Sequence, residues 1–99
     1  MTSHKSARSR ELHLQSIEKA VAKAYKPLPA LGQSIIDATD PIALAGMANR
    51  LHKQCKRWYD LSCRLDDITT YDIVYDLIQT MRMLMEAIGV KMDTLFRAE

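Results

Sequence analysis

Apolar positions recur at three- and four-residue steps in four separate stretches of the chain, and nowhere in a convincing two-residue alternation. That period belongs to helices with one buried face, so the pattern predicts an all-α fold without strands. The first helix is predicted over residues 9–26, with Leu14, Ile17, Val21, Ala24 and Tyr25 on one face. Pro27 and Pro29 end it, because proline has no amide donor and its ring clashes with the preceding turn. The polar residues 1–8 read as a short flexible basic arm. A second, short helix is predicted over 29–38, with Pro29 in its first turn and Leu31, Ile35 and Ile36 as its apolar set. Gly32 weakens it.

The third helix has the clearest start. Asp40 stands at the N-cap and Pro41 at the first helical position. Leu44, Met47, Ala48, Leu51, Cys55, Trp58, Ser62 and Leu65 then share a broad stripe, which predicts a helix over 41–65 with Cys55 and Trp58 in the core. Asp66-Asp67-Ile68-Thr69 breaks the period. Thr69 or Thr70 is expected to cap a fourth helix over 70–96. Its buried face runs Ile73, Val74, Leu77, Ile78, Met81, Leu84, Met85, Ile88, Met92, Leu95. Gly89 leaves open whether this is one rod. The last two helices would span roughly 37 and 42 Å. Their matched lengths and short link predict a three- or four-helix bundle dominated by a long antiparallel helical hairpin. Residues 1–99 are read as a single domain.

Composition agrees with a folded chain: 26% of residues are charged, and there are three glycines and three prolines. No apolar run approaches the roughly 20 residues that cross a bilayer. The basic start MTSHKSARSR is not followed by the apolar core of a secretory signal, so the expected location is cytoplasmic. Cys55 and Cys63 are expected as free thiols. On one helix they would be separated by roughly 12 Å of rise, beyond the about 7 Å that a disulfide tolerates between Cα atoms.

Charge is segregated along the chain. Residues 41–65 carry five Lys/Arg against one acid, whereas residues 66–99 carry three against seven. The stretch NRLHKQCKRWYD, residues 49–60, concentrates the basic part. On a helix, Leu51, Cys55 and Trp58 point one way, and Arg50, Lys53 and Arg57 the other, with Arg64 extending the row. A row of this kind can grip phosphate backbones, with the basic Lys5, Arg8 and Arg10 adding charge. The N-terminal turns of this helix carry no base-reading side chain, unlike a recognition helix. Trp58 and Tyr59 fall on other faces, which disfavours stacking on single strands. A solvated helix face is the plainer reading. A metal site is not expected: His52, Cys55 and Cys63 cannot converge from one straight helix, and His4 and His13 are remote in sequence. No cofactor is expected.

No catalytic residues are assigned. There is no Ser/His/acid or Cys/His arrangement and no glycine-rich phosphate loop. Asp66 and Asp67 are adjacent in a turn, where capping is their usual role. The chain is therefore read as not an enzyme, with no small-molecule substrate and no membrane partner.

The remaining signal lies on the fourth helix. Met83 and Val90 sit seven residues apart on the face opposite the core stripe, among Asp76, Gln79, Glu86 and Arg97. Two apolar residues stacked on a polar face suggest a contact surface, and methionine suits one because it is flexible and polarizable. Met83 and Val90, with Glu86 and Arg97 setting register, are the candidate partner-binding residues. The expected function is a non-enzymatic protein-interaction module, a small regulator, inhibitor or assembly factor that docks on another protein or on a second copy of itself. The alternative is sequence-nonspecific nucleic-acid binding through Arg50, Lys53, Arg57 and Arg64.

Overall fold

The computed structural model describes the backbone of residues 2–97 and the side chains of residues 13–97. The fold is all-α, with four helices and no strand among the described residues: α1 Thr2–Tyr25, α2 Leu28–Asp37, α3 Pro41–Ser62 and α4 Ile68–Arg97.

Helix α1 differs from its sequence reading at the N-terminus. It extends back to Thr2, through residues expected as an arm. No proline or glycine lies between residues 2 and 8 to end it, and Lys, Ala and Arg are good helix formers. Met1 lies outside the described residues. At the other end, Lys26 and Pro27 make a tight junction. Pro27 keeps right-handed helical angles (φ −79°, ψ −10°), and its carbonyl accepts from the Leu31 amide at 3.0 Å. Helix α2 thus continues α1 as a bent rod, broken where Pro27 and Pro29 withhold amide donors. Its C-terminal end is closed twice. The Ala38 amide donates to the Ile35 carbonyl at 3.3 Å, and the Lys91 Nζ of α4 donates to the Ile36 carbonyl at 2.7 Å. A cation at a helix C-terminus is favourably placed against the helix dipole.

Helix α3 starts as the sequence predicts. The Asp40 Oδ1 accepts from the Ile42 amide at 3.0 Å, and the Asp40 carbonyl takes the first helical bond, from Leu44 at 3.2 Å. It ends earlier than expected, at Ser62. The bonds from Arg64 to Leu61 and from Leu65 to Ser62 tighten the chain into i→i+3 turns, which releases it from the helix. The cap of α4 also moves. Asp67, not Thr69 or Thr70, fills that role: its Oδ2 accepts from the Thr70 hydroxyl at 2.9 Å and the Thr70 amide at 3.4 Å. A carboxylate is the stronger acceptor, and it places negative charge at the positive helix end. Thr70 is consequently buried. Helix α4 then runs unbroken through Gly89 to Arg97.

Packing centres on α4. Among the described residues it touches all three other helices, and α3 most extensively, whereas α3 hardly meets α1 or α2. Leu44, Val74, Leu77 and Met81 are 0% exposed. Around them close Ile17 and Val21 from α1, Leu28 and Ile35 from α2, and Leu51 and Cys55 from α3. The bent rod runs in the same direction as α4, since Gly32 faces Leu84 and Ile36 meets Lys91. The result is elongated, 68 × 21 × 16 Å. Its radius of gyration is 17.3 Å, where a compact chain of this length would have about 13 Å. No helix among the described residues is long and apolar enough to cross a membrane.

Two substitutions in α4 should move stability in opposite directions. Leu77→Ala removes a fully enclosed side chain and should cost about 3–4 kcal/mol. Gly89→Ala should gain about 0.5–1 kcal/mol, because a Cβ there meets nothing within 4 Å. Urea midpoints of both variants check this. A neutral Leu77→Ala would remove α4 from the centre of the fold.

Candidate interaction surfaces

The outer face of α4 holds the residues singled out in the sequence. Met83 and Val90 are each 68% exposed. Their seven-residue spacing places them about 10.5 Å apart along the axis. Glu86 is exposed beside them. Arg97 is tied within its own helix, with Nε 3.2 Å from the Asp93 carboxylate. The Thr80 and Thr94 hydroxyls donate back to the Asp76 and Val90 carbonyls at 2.9 and 3.0 Å. Both threonines thereby spend their donors locally. Ile68, Tyr75 and Phe96 are further exposed apolar side chains of α4.

Arg50, Lys53 and Arg57 form an exposed basic row on α3. Arg64, expected to extend that row, lies in the turn beyond Ser62, where α3 has ended. None of the four makes an ion pair among the described residues. The side chains of Lys5, Arg8 and Arg10, and that of His4, lie outside the described residues.

Trp58 packs against the core, as its place on the apolar stripe predicts, but is only half-buried: its other side opens to a groove of about 510 Å³ between α1 and α3. Trp58, Leu61, Ala20 and Ala24 floor this groove, and Lys23 and Arg57 stand in its lining with no acid among them. The groove exists because α1 and α3 pack on α4 but scarcely on each other. The role of Lys23 was not legible from the α3 pattern, since it depends on which side of α1 faces α3. A second depression, of about 530 Å³, lies between α1 and the α3–α4 turn, and His13, Arg64, Asp66 and Asp67 are among its lining residues. Tyr71 and Tyr75 stack on α4 with ring centroids 6.0 Å apart.

Cys55 is buried and Cys63 exposed. No three of the described His, Cys, Asp and Glu side chains are grouped to hold a metal ion. Comparison with known proteins finds no match to any family model, curated protein or solved structure.

The thiols report directly on the rotation of α3. Under native conditions Cys63 should react with a thiol reagent at close to the rate of an open thiol, and Cys55 far more slowly. Mass spectrometry of the labelled peptides distinguishes them. Equal, fast labelling of both would mean that the α3 face carrying Leu51 and Cys55 is not against α4.

Proposed function

We propose that this chain is a non-enzymatic protein-interaction module, a small regulator, inhibitor or assembly factor, built as a helical bundle around the long antiparallel pair α3 and α4. The observation that carries this reading is the exposure of Met83 and Val90, 68% each, on a helix whose opposite face is already closed by α1, α2 and α3. Apolar area left in water is area a partner can cover, at about 25 cal/mol per Å². Glu86 and Arg97 border the stripe and would fix the register of a helix laid along it. In this reading the partner is another protein or a second copy of the chain. The cytoplasm suits it, because both cysteines are free.

A second reading is favoured by one specific observation, the lack of any ion pair to Arg50, Lys53, Arg57 and Arg64 among the described residues. Unneutralised cations in a row would hold a nucleic-acid backbone without reading its sequence.

One set of variants separates these readings. Met83→Asp with Val90→Asp should keep the helical circular dichroism and the melting temperature of the parent, yet lose self-association or partner capture. Arg50→Gln and Lys53→Gln together should leave that association in place if the apolar stripe alone carries it. If the aspartate pair unfolds the protein, the stripe belongs to the core. If it assembles and binds like the parent, the interaction surface lies elsewhere. Low-salt titration with duplex DNA and single-stranded RNA tests the second reading, and an absence of binding there removes it.

A further inference from the structure

The groove between α1 and α3 and the outer face of α4 are complementary in three respects. The first is sign. Lys23 and Arg57 line the groove with no acid among its lining residues, whereas Glu86 stands between Met83 and Val90 on the α4 face and the charge of Arg97 beyond them is paired with Asp93. The second is length. The α3 wall of the groove runs from Gln54 to Leu61, the same seven-residue spacing as Met83 to Val90, or about 10.5 Å of helix each. The third is polarity: the groove is floored by Trp58, Leu61 and two alanines, and the α4 face presents a methionine and a valine.

The two surfaces cannot meet within one molecule. Helices α1 and α3 both pack on α4, so the space between them opens on the side away from α4. The outer face of α4 points the opposite way. Each copy therefore carries one of these surfaces on either side.

We infer that a second copy of this chain covers the outer face of α4: Met83 and Val90 of one copy lie in the groove between α1 and α3 of the next, with Glu86, which stands between them, opposite Lys23 and Arg57. This rests on the reading of α4 as an interaction surface and names its partner. The contact is heterologous, head to tail, so it propagates until a ring closes or the supply of copies ends. Its ionic part weakens with salt, because the paired groups lie at an exposed rim.

The full chain is tested by sedimentation velocity across a concentration series and at two salt concentrations. The weight-average mass should rise with protein concentration and fall at high salt. Two variants then each disable one surface. Met83→Asp/Val90→Asp keeps the groove, and Lys23→Glu/Arg57→Glu/Trp58→Phe keeps the α4 face. Each should be monomeric alone, with the helical circular dichroism of the parent. Mixed together they should form a one-to-one dimer that grows no further. The chain has a single tryptophan. In the mixture only the groove-bearing copy fluoresces from Trp58, and its emission should shift to shorter wavelength as the groove is covered.

Other outcomes overturn the inference in distinguishable ways. If the α4 variant abolishes assembly but the groove variant assembles like the parent, α4 pairs with something other than the groove; the α4 reading stands and this one fails. If both variants assemble like the parent, both fail. A parent that stays monomeric throughout removes the second copy as partner and leaves only a foreign protein for α4. Should the charge-reversed groove variant lose its helical signal, Lys23→Gln/Arg57→Gln/Trp58→Phe replaces it with the same expectations.

Discussion

Everything in this fold depends on covering one face of α4. That face presents Val74, Leu77, Ile78, Met81 and Ile88, all buried. Burying such side chains contributes about 1.5–3 kcal/mol each, which must offset the backbone entropy of a 30-residue helix. No single partner helix does this. Helix α3 covers one side of the stripe, and the bent rod of α1 and α2 covers the other. The helices answer to α4 rather than to one another. The shape is elongated for this reason, and α1 and α3 can stand apart without exposing the centre of the core.

Much of this architecture was legible in the chain. Period alone located all four helices. Asp40-Pro41 fixed the start of α3, because it pairs a side-chain acceptor with a residue that needs no amide partner. Helix ends that rely on competition were less legible. At the start of α4, Asp67 and two threonines all qualify as caps, and only the three-dimensional placement of Thr70 decides in favour of the carboxylate. Residues 2–8 looked like an arm because they bear no apolar stripe. A helix continues where no proline or glycine breaks it, and hydrophobic period cannot see that.

The surfaces were legible in unequal degree. Exposure of Met83 and Val90 follows from one helix considered alone, because the stripe opposite them is already complete. The groove beside Trp58 depends on two helices that are remote in sequence and scarcely touch. A wheel drawn for α3 puts Trp58 on the apolar side and Arg57 on the polar side. The structure keeps that division but opens the border between them, because α1, which lines the other side of the groove with Ala20, Lys23 and Ala24, scarcely packs on α3. A boundary residue such as Trp58 is therefore core or surface according to the placement of a neighbour that its own helix does not reveal.

Charge segregation completes the picture. The simplest account of a basic α3 beside an acidic α4 is mutual neutralisation across their contact. Yet the ion pair between described side chains, Arg97 with Asp93, lies within α4, and the basic row of α3 points to solvent. The reason is geometric. The α3–α4 contact is occupied by Leu44, Leu51, Cys55, Val74, Leu77 and Met81, so charges on each helix are turned to its outer side. At separations beyond about 8 Å their attraction is largely screened at physiological salt. Opposite charge on the two helices therefore does little to hold them together. It leaves the molecule with a basic surface on α3 and an acidic one on α4, each turned to solvent.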